Sequence, residues 1–367
     1  MKFRLLILLL SFVFGCSNQK EASFIRVEGN ITSLPDTKLY LVDAKKWKTP
    51  VDSAECKDGH FVFHVKTDSS FYPWMAAIHF INNGDIDHPQ RFQFRNQLLG
   101  ADSLQYLRDA FYIEPGGANI TGRYGSSPWL RISAGIETEL YFQNQFTDIG
   151  WMGDKDSVKR NNKMNLLKEA IAAQPGSFFL LQSIFGSKEQ YSREELITLL
   201  NFFNDTIRRS GIFKQFSDYL SVRPGRGEAY PVILLKAPDD KAYPLIDSTA
   251  GVNMLVFWAS WCMPCRKEIP QLKTLYQKYS GKGVRFVSIS IDIDKEQWRH
   301  ALRQERLPWQ QFLIEKEKIE TIENIFNFTT IPFVVFTDNN GKELGRISDY
   351  DPENAARYDS VLKKYSR

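Results

Sequence analysis

The sequence has little of what would fix its character at once. Only four of its 367 residues are cysteine, Cys16, Cys56, Cys262 and Cys265, too few and too unevenly spaced for a disulfide-stapled scaffold. Histidine is equally scarce, at five; His60, His64, His79 and His88 show no helical pairing that would mark a metal site. There is no excess of one charge: 47 basic and 43 acidic residues are spread along the chain for a net charge of +4. Without a basic stripe, nucleic acid is not a favoured partner. No apolar run is long enough to span a bilayer as a helix. What remains is a chain of ordinary apolar content, long enough for two or three domains at roughly 100 to 200 residues each.

The most apolar run sits at the N-terminus, where Lys2 and Arg4 precede Leu5 to Leu10 and then Phe12, Val13 and Phe14. This charge-then-apolar layout is that of a secretory signal. It ends in VFGC followed by the polar SNQKEAS, which resembles the lipobox of bacterial lipoproteins. The resemblance implies a signal peptide over 1–15 and a lipid anchor on Cys16. The mature protein is then expected in the cell envelope, facing the periplasm, attached to the membrane through Cys16. An ordinary signal peptide with an incidental cysteine is the alternative.

Three regions follow. Over 24–125, TKLYLVDA, HFVFHV and FYIEP alternate apolar and polar residues, while LPDT, KDGH and PGG supply turn chemistry. This predicts a small antiparallel β domain, and it resembles the β-sandwich module that precedes thioredoxin-like domains in Bacteroidetes proteins. Cys56, beside the KDGH turn and without a ligand-spaced partner, reads as a half-buried strand residue rather than a reactive thiol. Over 136–222 the apolar period lengthens to three and four, predicting amphipathic helices, with Ser192 and Glu195 as a capping box. SVRPGRGEAYP then reads as a linker to a third domain over 235–367.

In that third domain, VNMLVFWA has the continuous apolar character of a strand covered on both faces. Cys262 and Cys265 follow at the start of a helix expected to bend at Pro270. VRFVSISID, FVVFTD and KELGRIS are further strands; DKEQWRHALRQER, KIETIENIFN and ENAARYDSVLKKY are helices. Free amides and the positive dipole end at a helix N-terminus favour an anion. A dipole contribution of up to about 2 kcal/mol lowers a thiol from roughly 8.5 by at most about 1.5 units. Cys262 is therefore the expected nucleophile, and Cys265, one turn inside, the expected resolving thiol. Pro264 fits the first turn and removes one amide donor from the thiolate, which favours a reducing poise. A structural zinc site fails for want of a second ligand pair. A structural staple is disfavoured because so short a loop holds little entropy. A thiol peroxidase of the peroxiredoxin type is a rival, but Leu255 and Ala259 stand where its Pro-x-x-x-Thr-x-x-Cys pattern needs Pro and Thr.

FWASWCMPC, RKEIP and TTIPFVVFTDNNGKELGR resemble the TlpA/ResA branch of membrane-tethered thiol–disulfide oxidoreductases. The resemblance implies an α/β thioredoxin-like fold, with a cis proline at Pro332 beside the cysteines. Trp261, Ile331 and Pro332 are then expected to contact substrate, and Glu268 to be the acidic residue serving the buried thiol. Archetypal thioredoxins carry a buried Asp where this chain has Val256, which leaves Glu268 as the nearby acidic candidate; a solvated surface Glu is the bland reading. The expected activity is reduction of protein disulfides with no cofactor beyond the Cys262–Cys265 pair. Its expected partners are disulfide-bearing client proteins and an upstream membrane electron donor. A lipid-anchored binding module with a secondary thioredoxin domain is the alternative of a different class.

Overall fold

The computed structural model describes residues 23–68, 70–81, 88–96, 107–125, 130–147, 152 and 156–365. The expected signal peptide and Cys16 lie outside them. The chain divides into two compact units, the first ending at Thr147 and the second running from Asp148 to Arg367.

The first unit comprises β1 (Ser23–Thr32), β2 (Thr37–Asp43), β3 (Pro50–Cys56), β4 (His60–Thr67), β5 (Trp74–Phe80), β6 (Gln90–Arg91), β7 (Phe94–Arg95), β8 (Leu107–Arg108), β9 (Phe111–Ile113), β10 (Ala118–Arg123), β11 (Arg131–Ser133) and α1 (Ile136–Thr147). One sheet runs β11-β10-β1-β4 and another β3-β2-β5-β6, with β9 also on β5. Their inward residues, among them Val27, Ile31, Leu41, Phe63, Ile78, Phe111 and Ile120, form one core. The named strands pair antiparallel except β1 with β10, which run parallel; an isolated bridge between Phe94 and Leu130 is also parallel. The β3–β4 hairpin turns through Asp58 and Gly59, both at positive φ, the backbone that a two-residue hairpin requires. A Cβ on Gly59 would stand 2.1 Å from Ile31 O, so only glycine fits there.

Helix α1 belongs to this unit rather than to the helical region in which its period places it. The reason is Glu114, whose carboxylate accepts the N–H groups of Glu137 and Thr138 at 3.0 Å each and the Thr138 hydroxyl at 3.0 Å. A buried side chain from the strand layer thereby satisfies the orphan amides of the helix start.

The second unit opens with α2 (Ser157–Ala173), α3 (Phe178–Gly186), α4 (Arg193–Leu200), α5 (Asp205–Arg208) and α6 (Gly211–Val222). The capping box closes at α4: Glu195 N donates to Ser192 Oγ at 3.1 Å and Ser192 N to Glu195 Oε2 at 2.7 Å. The remainder is β12 (Leu234–Lys236), β13 (Ala242–Pro244), β14 (Val252–Trp258), α7 (Met263–Tyr279), β15 (Val284–Ser290), α8 (Lys295–Glu305), β16 (Gln310–Leu313), α9 (Ile319–Phe326), β17 (Phe333–Thr337), β18 (Glu343–Ser348) and α10 (Asn354–Tyr365). One sheet, β13-β12-β16-β15-β14-β17-β18, carries them, with β14 parallel to β15 and antiparallel to β17.

Every residue of β14 is buried, and its period of two sorts them between layers. Leu255 and Phe257 join Ile322 and Phe326 of α9 on one face; Met254 and Val256 join Leu272 of α7 and Leu362 of α10 on the other. Phe257 alone meets the rings of Phe326, Phe328 and Phe333 at 5.1, 4.7 and 5.8 Å between centroids; burying a side chain of this kind contributes about 1.5–3 kcal/mol. The covered sheet holds the C-terminal end of β14 rigidly where α7 begins.

Candidate functional site

Between β14 and α7 the chain makes a short turn, Ala259 to Trp261, and enters the helix at Cys262. Cys262 is the helix N-cap, and its sulfur accepts the N–H of Cys265 at 3.2 Å. Pro264 occupies the first turn, where a missing N–H costs nothing. Cys262 and Cys265 are joined as a disulfide, S–S 2.02 Å, and pack with Trp258, Ala259, Ile269, Trp298 and Ala301.

The turn is anchored from the next strand. The Asp292 carboxylate, buried just beyond β15, accepts Ser260 N at 2.9 Å, Ser260 Oγ at 2.6 Å and Ser290 Oγ at 2.6 Å. Sequence reasoning missed this clamp, since nothing in SISIDID distinguishes the carboxylate that turns inward.

Opposite the disulfide stands the segment entering β17. The Ile331–Pro332 peptide is cis, and Ile331 O lies 3.8 Å from Cys262 Sγ. Trp261 and Met263, each 63% exposed, flank Cys262 on the solvent side. The structure therefore sets Cys262 between the exposed Trp261 and the part-exposed Ile331, with Pro332 buried beside them.

Behind the disulfide lies a small cavity lined by Cys265, Glu268, Val256, Ser288, Trp309 and Pro332. Glu268 is 1% exposed, so it is no solvated surface residue. One oxygen accepts Asn354 Nδ2 at 2.7 Å, and both lie near the Tyr358 hydroxyl, at 3.1 and 3.3 Å. Burial pushes its carboxyl above the ordinary carboxylate range, and the two hydrogen bonds pull back only part of that shift. Val256 gives the cavity an apolar wall.

A larger cavity, of about 350 Å³, lies away from the cysteines and includes Arg223, Tyr230, Glu343 and Arg346 in its lining. Within it Arg346 bonds Glu343 and Tyr230, and Arg223 bonds Tyr219 and the Tyr191 carbonyl. It carries no thiol.

A family model described as Thioredoxin-like matches residues 251–343, and a Domain of unknown function (DUF4369) matches residues 25–141, running into α1. The thiol-disulfide oxidoreductase ResA of Bacillus cereus is 27% identical over 121 residues, 33% of this chain and 68% of that one. ResA of Oceanobacillus iheyensis is 40% identical over 70 residues, 18% of this chain and 36% of that one. The crystal structure of the thioredoxin domain of a thiol-disulfide oxidoreductase from Bacteroides vulgatus is 23% identical, covers 39% of this chain and 99% of that one, and has a TM-score of 0.35. The chain thus spans about two thirds of the first curated relative and about a third of the second. Residues 251–343 are thus Thioredoxin-like, and the C-terminal domain is similar to the ResA thiol-disulfide oxidoreductases.

Proposed function

We propose that the chain is a reductase of protein disulfides that works through a mixed disulfide on Cys262. Its standing as a thiol–disulfide oxidoreductase draws on the Thioredoxin-like match and the ResA relatives. The observation that carries the division of labour is the asymmetry of the pair: Cys262 borders the exposed Trp261 and Met263 and the Ile331 carbonyl, whereas Cys265 faces the closed cavity with Glu268.

In the reduced pair, the Cys262 thiolate attacks one sulfur of a client disulfide. A Cys262–client bond forms and the other client sulfur leaves as thiolate. Cys265 then gives its proton to the Glu268 carboxylate and attacks Cys262 Sγ. The Cys262–Cys265 bond re-forms and the second client thiolate departs; the client gains two electrons and the pair loses them. A second dithiol must restore the pair, which is the role of the upstream membrane donor. Glu268 suits the transfer because burial raises its proton affinity toward that of a thiol, which is what general acid–base exchange requires. Trp261 and Ile331 form the surface on which an extended client segment lies, its backbone pairing with Ile331, while the buried Pro332 holds Ile331 in place.

The ResA relatives and the N-terminal VFGC pattern support a site outside the cytoplasm, with Cys16 as the lipid-bearing residue. Among the described residues no helix is long and apolar enough to cross a membrane. The test is trapping. Cys265→Ser should accumulate mixed disulfides with envelope proteins and Cys262→Ser should not. A reduction potential near the strongly oxidising end of the range, around −120 mV, would sink the reductase reading.

A further inference from the structure

Among the described residues, the side-chain hydrogen bonds to the Glu268 carboxyl come from one element, α10. Asn354, the first residue of that helix, is fully buried, and its amide is completely used. Nδ2 donates to Glu268 Oε1 at 2.7 Å and to Asp349 O at 2.8 Å, while Oδ1 accepts from Arg357 Nη1 at 3.0 Å. The orientation is forced, because a flipped amide would set its oxygen against two acceptors.

Asp349 continues the chain of contacts. Its N–H donates to Pro332 O at 2.9 Å, and its Oδ1 accepts from Thr330 Oγ1 at 2.8 Å. One buried amide therefore links the carboxyl behind the disulfide to the segment in front of it.

Tyr358 lies one turn along α10. Its hydroxyl donates to the Glu268 carboxylate at 3.1 Å, so like the Asn354 amide it favours the charged form. The other groups facing Glu268 are the Cys265 thiol on α7, the apolar Val256 of β14 and Pro332, and Ser288 of β15. Ser288 accepts from Trp309 Nε1 at 2.8 Å. The nearest cation in this set of contacts is Arg357, which reaches Glu268 only through Asn354.

We propose that Asn354 and Tyr358 are positioning residues of the thiol site: they hold Glu268 at the cavity, set the pH at which it takes up a proton, and tie it to the Thr330–Pro332 segment. The proposal deepens the reading in which Glu268 serves Cys265, and its test separates the two.

The measurement is a carbon NMR titration of the Glu268 carboxyl in the full chain, with Glu268→Gln identifying the signal, for Asn354→Leu and Tyr358→Phe. Each variant loses a donor to the charged form, so the midpoint should rise, by about one pH unit for Tyr358→Phe and more for Asn354→Leu. An unchanged midpoint in Tyr358→Phe overturns the proposal, and that conservative variant decides the matter should Asn354→Leu fail to fold. The pH profile of disulfide turnover, recorded on the same variants, should move with the midpoint. If the midpoint moves and the turnover profile does not, the positioning role stands and the assignment of Glu268 as proton acceptor for Cys265 falls.

Discussion

The two units each bury a glutamate and a cysteine, and use them in opposite ways. In the first, Glu114 is ringed by donors that it holds in place, two helix-start amides and a threonine hydroxyl that itself accepts from Tyr112 N. In the second, Glu268 sits partway along a helix whose amides are already engaged. It is held by one amide and one hydroxyl, and borders a cavity that it shares with a thiol. Cys56 is sealed in a sheet core where burial raises its thiol, whereas Cys262 caps a helix. Burial of a reactive group therefore does not mark a site. What marks it is whether the neighbours leave the group something to exchange with.

The comparison is tested first at the thiols. Cys262→Ser should lower disulfide turnover by roughly 10⁴-fold or more, as loss of a nucleophile does, while Cys56→Ala should leave turnover at the wild-type level; equal losses in an insulin-reduction assay would erase the distinction. The carboxylates come next. Glu268→Gln should slow turnover by roughly 100-fold, the lower range for loss of an acid–base group. Glu114→Ala should leave turnover intact and destabilise the first unit by about 2–3 kcal/mol in chemical denaturation, because it strands buried donors.

Stability against pH gives a subtler contrast. The Glu268 carboxyl has a higher pKa folded than unfolded, so the folded state holds its proton more tightly. Its contribution is present below the unfolded value of about 4.3 and is lost as pH rises through the folded value. Glu268→Gln should remove that decline and gain about 1 kcal/mol at neutral pH, as relief of a functional residue commonly does; a flat wild-type profile over this range would contradict the burial argument. The smallest effect is chemical: iodoacetamide at pH 7 should label Cys262 of the reduced protein and spare Cys56.

Much of this was legible where the determinants are local in the chain. The Cys262–Cys265 spacing after a buried strand, the Ser192–Glu195 box and the Asp58–Gly59 turn each operate within a few residues. Pro332 came through the family resemblance. Strands β12, β13 and β16, three or four residues long, escaped because no period can be read in so short a run. The partners of Glu268 escaped for a different reason, lying 86 and 90 positions away. One signal was available: Cys265, Ile269, Leu272 and Leu275 mark the buried stripe of α7, and Glu268 falls within it, which already argued against a solvated residue. The grouping of α1 with the later helices followed its period, which carries no information about Glu114.

The parallel pairing of β1 with β10 has a consequence in time. Val27 finds its partner in Ala118, 91 positions later in the chain, with strands β2 to β9 made in between. A chain emerging N-terminus first can pair β1 with β4 early, but leaves the other side of β1 open until residue 118 arrives. An open, apolar strand edge is the surface on which chains pair wrongly with one another. Completion of the first unit is thus set by the arrival of its last strands, and the long sequence separation of the β1–β10 pair makes that step a slow one.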